Sequence, residues 1–189
     1  MFSGIIEELG AVKNISRRAG ITVLEVKAEK TLIDTKIGDS ISLNGVCLTV
    51  AKKSKESLVF EVMQQTLAAT NLAALRISEK VNLERSLKIG ERVSGHFVYG
   101  HIDCIGIIRK KSFLQNNPCF QIAIPPEFIK YCLSKGSIAV DGISLTIAEK
   151  SANTFTVCII PHTLKNTNLS LKGASDKVNL EFDILAKKA

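Results

Sequence analysis

The sequence predicts an all-β protein built from two tandem copies of one small closed barrel, with short helices. The first observation behind this is an internal repeat. "SISLNGVCLTVA" from Ser40 meets "SIAVDGISLTIA" from Ser137 at a shift of 97 positions. The same shift brings "QTLAATNL" from Gln65 onto "HTLKNTNL" from His162, and "KVNLE" from Lys80 onto "KVNLE" from Lys177. A shift of 96 brings "GIIEELG" from Gly4 onto "GHIDCIG" from Gly100. A period this long, present only twice, is a duplicated domain and not a solenoid. The second observation is strand density. Each copy carries short β-branched runs between turn signals, about six in roughly 90 residues, which suits a closed barrel without exposed sheet edges.

The elements follow in order. In the first copy the runs are "ITVLEV" from Ile21, "SISL", "CLTVA" from Cys47 and "LVFEV" from Leu58. In the second they are "FQIAI" from Phe120, "SIAV", "SLTIA" from Ser144 and "FTVCII" from Phe155. Asn44-Gly45 and Asp141-Gly142 join the middle pair of runs in each copy. Such dipeptides suit a type I′ hairpin, in which both central residues need positive φ. "QQTLAATNLAAL" and "HTLKNTNLSL" read as short helices with Thr near the N-terminal end. The join falls in "SLKIGERVSG". This divides the chain into domains at 1–95 and 96–185 and a tail at 186–189.

Composition excludes several function classes. The 189 residues are 46% hydrophobic, enough for a packed core. The formal net charge is +7, but the basic residues are scattered, which is the signature of a solvated face and not of a nucleic-acid partner. Tryptophan is absent and aromatics are 5%, against a base-stacking platform. "MFSGIIEELG" lacks the basic and apolar regions of a signal peptide. No apolar run reaches bilayer-spanning length, so no membrane partner is expected. Five cysteines, at 47, 104, 119, 132 and 158, form no CxxC and no zinc spacing. A reduced, soluble, cytoplasmic protein without a metal site is expected.

Candidate chemistry lies where the copies differ within retained blocks. Cys47 faces Ser144, Ile5 faces His101, and Glu7 faces Asp103. Asp39 is replaced by Gly136, while Lys135 opens the second hairpin. Thr49 and Thr146 are kept. One copy thus offers a thiol; the other offers a histidine, a hydroxyl and a lysine. That pattern suits two related pockets holding similar ligands in different ways. Each residue also has a plain structural reading. A buried strand Cys is usually an inert small hydrophobe, Ser144 lacks a nucleophile elbow, His101 stands alone, and His96 adds no third metal ligand. Only their paired placement raises them.

At this point the blocks resemble a known family. "MFSGIIEELG", "GDSISLNGVCLTV", "VNLERSL", "GHFVYGHID", "KGSIAVDGISLTI" and "KVNLEFDIL" are together similar to riboflavin synthases with two lumazine-binding domains, over Met1 to about Leu185. The resemblance implies six-stranded Greek-key barrels that each bind one 6,7-dimethyl-8-ribityllumazine. It implies a transferase of riboflavin biosynthesis, moving a four-carbon unit between two such molecules to give riboflavin and 5-amino-6-ribitylamino-uracil. No metal or cofactor is needed. It further implies a homotrimer, with the N-terminal barrel of one subunit facing the C-terminal barrel of its neighbour, and allows association with lumazine synthase.

The resemblance also carries residue roles. Phe2, Gly4, Ile5 and Ile6 go to the first pocket with Ser40, Cys47, Leu48 and Thr49. The stretch Glu61, Val62, Met63, Gln64, Gln65 and Thr66 completes it. His101, Ile102 and Asp103 go to the second pocket with Lys135, Asp141, Ser144, Leu145 and Thr146. Ile159, Ile160, Pro161, His162, Thr163 and Leu164 complete that one. Cys47, His101 and Ser144 are the expected catalytic participants, and backbone amides are expected to read the pyrimidinedione edge. Ser94, Tyr99 and Cys104 stand where the family usually has Gly, Ser and Gly, so Tyr99 is expected to reshape the second pocket. After the last block only a short helical stub, "ILAKKA", is expected where relatives carry a longer helix. The alternative reading is a non-catalytic lumazine- or flavin-binding protein of the same superfamily.

Overall fold

The computed structural model describes residues 1–18, 20–114 and 117–188. The first barrel contains β1 (Glu8–Arg18), β2 (Ile21–Lys27), β3 (Ser40–Leu43), β4 (Val46–Lys53), β5 (Ser57–Met63) and β6 (Lys80–Arg85). They hydrogen-bond in the closed order β1-β2-β5-β4-β3-β6. The second contains β7 (Cys104–Leu114), β8 (Asn117–Ala123), β9 (Ser137–Val140), β10 (Ile143–Lys150), β11 (Thr154–Cys158) and β12 (Lys177–Phe182), closed in the same relative order. Both rings are the Greek-key barrels expected.

Strand alternation fills each barrel. β2 buries Leu24 and Val26 while Glu25 and Lys27 turn outward. Phe60, Ile41, Leu43 and Leu83 complete the first core, and Phe120, Phe155, Ile138 and Leu180 the second. Each such side chain, fully buried, stabilises the fold by about 1.5–3 kcal/mol. Bulges bend β1, β4, β7 and β10 at matched places in the two copies, as small closed barrels require. All eight runs named from sequence fall on strands, although β8 stops at Ala123 and β11 at Cys158, short of the ends of their runs. β1, β6, β7 and β12 were not named, although β1 with β6 and β7 with β12 close the two rings. β6 and β12 escape the alternation pattern because Asn82, Glu84, Asn179 and Glu181 are buried as fully as their apolar neighbours.

Those polar residues build the contact between barrels. Asn44 and Asp141 both take φ 46°, and Gly45 and Gly142 take 81° and 80°, the type I′ signature. The two turns meet: a Cβ on Gly45 would lie 2.7 Å from the Gly142 nitrogen. Asn82 Nδ2 donates to the Asp141 carbonyl at 2.9 Å and to Asn168 Oδ1 at 3.0 Å. Its repeat mate, Asn179 Nδ2, donates to the Asn44 carbonyl at 2.8 Å and to Asn71 Oδ1 at 2.9 Å. The Asp141 carboxylate accepts from Asn71, Asn168 and the Asn179 N–H, with Lys172 Nζ 3.4 Å away.

The expected helices are each split. α1 (Gln64–Ala69) and the 3₁₀ turn Asn71–Ala74 flank Thr70, and α2 (Pro161–Asn166) and the 3₁₀ turn Asn168–Ser170 flank Thr167. Thr70 is extended, donates to the Thr66 carbonyl and accepts from Leu72 N–H. The break turns Asn71 and Asn168 into the contact between barrels. α3 (Ile184–Lys188) is the helical stub, held by Lys187 on Asp103 at 2.9 Å; the last residue of the expected tail, 189, lies outside the described residues.

One expectation is corrected. Cys119 and Cys158 form a disulfide, so the cysteines are not all reduced. The two residues face each other across β8 and β11, a register that sequence spacing does not reveal. Among the described residues no helix is long and apolar enough to cross a membrane.

Candidate active site

Outside the barrel wall, alternation puts Cys47 and Thr49 on the outward face of β4, and Glu61 and Met63 on that of β5. Ser144 and Thr146 hold the same places on β10. The same alternation turns Leu48, Val62 and Leu145 inward, and Ile159 joins the second core. Only the main chain of these four can face a ligand.

A cleft of about 250 Å³ opens against Cys47. Val46, Gln65, Thr66, Ala69 and Thr70 of the first barrel line it. Gly100, His101 and Ile102 line it too, although they belong to the second copy of the sequence. The Cys47 N–H donates to the Gly100 carbonyl at 3.0 Å, and Ile102 packs on the first core. The other end of the molecule mirrors this. The Ser144 N–H donates to the Gly4 carbonyl at 2.8 Å, and Ile6 packs on the second core. The leaders are therefore crossed: each copy's opening segment completes the other copy's half-site.

Glycine is required at both crossings. Gly4 and Gly100 have φ of 77° and 81°. A Cβ on Gly100 would sit 2.5 Å from Cys47 Cβ, and one on Gly4 would sit 2.6 Å from Ser144 Cβ. Phe2 and Val98 exchange backbone hydrogen bonds between the leaders and are fully buried with Ala139.

The half-sites carry different chemistry. The first joins the Cys47 thiol to the exposed His101, over which Tyr99 stacks at a ring separation of 6.3 Å. In the second, His96 Nδ1 lies 2.7 Å from the Ser144 hydroxyl. Burial lowers the His96 pKa, which favours the neutral imidazole that can accept the Ser144 proton. Among the described residues the histidine of the first half-site is His101, which comes from a different position of the leader than His96.

The lumazine binding domain matches residues 3–86 and again 99–183. The chain is 43% identical over 187 residues to riboflavin synthase of Actinobacillus pleuropneumoniae, spanning 99% of this chain and 87% of that one. It is 40% identical to riboflavin synthase of Bacillus subtilis strain 168 over the same shares. The chain belongs to the riboflavin synthase family. Crystal structures of LumP are similar as well. The complex with riboflavin has a TM-score of 0.89 at 27% identity, covering 96% of this chain and 99% of that one. The complex with 6,7-dimethyl-8-(1'-D-ribityl) lumazine has a TM-score of 0.87 at 25% identity over the same shares.

Within this riboflavin synthase fold, several sequence assignments change place. Gly4 and Ile6 lie at Ser144, not at Cys47, and His101 and Ile102 lie at Cys47, not at Ser144. Tyr99 accordingly bears on the first half-site. Asp141 lies in the contact between barrels and is fully buried. Asp103 is committed to Lys187 and the Phe182 N–H. Ser40 sits at the far end of β3, opposite Thr49, and lines a separate cavity of about 450 Å³ with Ile5, Glu84 and Arg85. On its wall Arg85 pairs with Glu7 at 2.6 Å. Lys135 is exposed, its N–H bonded to the Ile147 carbonyl. Gln64, Ile160, Pro161 and His162 are exposed, and Thr163 and Leu164 are half-buried beside them.

Proposed function

We propose that this chain is a riboflavin synthase, converting two molecules of 6,7-dimethyl-8-ribityllumazine to riboflavin and 5-amino-6-ribitylamino-uracil. The observation that carries the reading is the pair of crossed half-sites, both of which retain reactive side chains. Cys47 meets His101 in one, and Ser144 meets His96 in the other. A protein that only bound one ligand would have no use for the second set.

Two identical substrates must take unequal roles, donor and acceptor, and a duplicated domain supplies two similar but unequal receptors. We divide the chain accordingly into lumazine-binding units at 1–95 and 96–185, with 186–189 as a tail. In the proposed homotrimer the first half-site of one subunit faces the second half-site of its neighbour. Holding both substrates in one geometry replaces a bimolecular encounter and contributes up to about 7–11 kcal/mol. The substrate methyl that loses a proton is acidified by its electron-poor ring, so a positioned imidazole or hydroxyl is a sufficient acid–base group. Cys47, His101 and Ser144 are the proposed participants. Thr49, Glu61, Met63, Gln65 and Thr66 line the first ligand, and Thr146, Thr163 and Leu164 the second. A cytoplasmic location and association with lumazine synthase belong to the same proposal.

The likeness to LumP favours one other reading, a binder without turnover. Both are tested by mixing purified protein with 6,7-dimethyl-8-ribityllumazine alone and following riboflavin absorbance. Riboflavin formation is expected. A change in ligand fluorescence without riboflavin would establish the binder instead. Sedimentation of the same sample reads the proposed trimer.

A further inference from the structure

The leaders that cross between barrels lack regular secondary structure, yet their carbonyls meet the opposite strand within hydrogen-bond distance. Something must hold them there. The Tyr99, Gly100 and His101 N–H groups all donate to one carboxylate, that of Glu181 on β12, at 2.6, 2.8 and 3.0 Å. The other leader repeats this. Ser3 N–H and Oγ–H and Gly4 N–H donate to Glu84 on β6 at 2.8, 2.9 and 3.1 Å. Glu84 and Glu181 are the same letter of the repeated "KVNLE". Both are 3% exposed, and among the described residues neither has a cation in ion-pair contact. An uncompensated buried carboxylate is costly. Here charge-assisted bonds to consecutive backbone N–H groups offset part of that cost. The geometry that results is directional. With its N–H tied to Glu181, the Gly100 backbone turns its carbonyl to the Cys47 N–H at 3.0 Å and sets His101 at the rim of the cleft.

We propose that Glu181 is the positioning residue of the Cys47 half-site and Glu84 that of the Ser144 half-site, each acting on the barrel opposite its own. Neither touches the ligand; each fixes the backbone that does. This rests on reading the clefts as ligand half-sites.

Cys47 supplies a local reporter. It is the partly exposed free thiol, whereas Cys104 and Cys132 are buried with pKa values pushed up to about 12 and about 11. The full-length chain is alkylated with iodoacetamide, and Cys47 modification is followed by peptide mass spectrometry at increasing 6,7-dimethyl-8-ribityllumazine. In the unaltered protein the ligand should slow modification. Glu181→Gln should raise the half-protecting concentration at least about tenfold and speed modification without ligand, while Glu84→Gln should leave both within about twofold. Glu181→Asp keeps the charge but withdraws it, and should give an intermediate shift if the Gln variant does not fold. Unchanged protection and rate in both Glu181 variants would overturn the proposal. So would an equal effect of Glu84→Gln, which would mark general loosening. If the ligand does not protect Cys47 in the unaltered protein, the half-site reading fails on its own. The ligand-free rates then decide: faster in the Glu181 variants alone supports positioning, and equal rates overturn it.

Discussion

Ser42 is 1% exposed, and its hydroxyl has no hydrogen-bond partner. Its repeat mate is Ala139, so the second copy has already dispensed with the hydroxyl. Ser42→Ala should therefore be neutral or stabilising by about 1 kcal/mol in urea denaturation, against the usual direction of core changes. Glu84 makes a second claim at this scale. Burial is the largest influence on it and pushes its pKa from 4.5 to about 7. A carboxyl raised on folding contributes stability that is full below its unfolded pKa and lost as pH rises through the folded one. The difference in stability between the unaltered protein and Glu84→Gln should thus shrink between pH 4.5 and 8, by at most about 3 kcal/mol. Titrations common to both proteins cancel in that difference. An unvarying difference across this window would mean the carboxyl is not shifted.

The turns that carry the most constraint are those ending β3 and β9. A side chain at Gly142 would need positive φ and would place Cβ 2.8 Å from the Gly45 nitrogen. Gly142→Ala should cost roughly 2–4 kcal/mol, from left-handed strain together with a clash against backbone. Gly173→Ala is the control: nothing lies within 4 Å of its Cβ, and it should fall within about 0.5 kcal/mol. Thermal unfolding reads both. β8 and β11 carry a different constraint in Cys119–Cys158. Denatured protein treated with iodoacetamide should gain three adducts without reductant and five with it. Five adducts in each case would mean the pair is open.

The two barrels are joined by a mirrored set of polar side chains, five amides and one carboxylate: Asn44, Asn71 and Asn82 against Asp141, Asn168 and Asn179. Asn179→Ala leaves the Asn44 carbonyl, the Asn71 Oδ1 and the Asn71 backbone N–H without their buried partner and should cost about 2–4 kcal/mol. Because the loss falls between domains, calorimetry should show the single transition broadening or dividing in two. Loss of stability with one sharp transition would place the damage inside a barrel instead. The same joint explains why identical motifs recur. "TNL", "VNLE" and the hairpin dipeptides persist in both copies because they dock one copy on the other. Cys47 and Ser144, which face outward from the barrels, differ between the copies.

The sequence by itself determined the duplication, the eight alternating strands, the type I′ turns and the exchange of thiol for hydroxyl. All of these are local patterns or self-comparisons, which a linear reading captures. It missed the ring-closing strands β6 and β12, because their buried polar residues erase the period-two signal. It could not foresee that Cys119 meets Cys158, which depends on strand register. It also misassigned the leaders, placing Gly4 and Ile6 with Cys47 and His101 with Ser144. The natural assumption was that each copy keeps its own pieces. Only the tertiary structure decided otherwise, because the contacts that settle it run between barrels: Gly4 to Ser144 and Gly100 to Cys47. Repeat alignment aligns like with like, and such crossed pairs leave no trace in it.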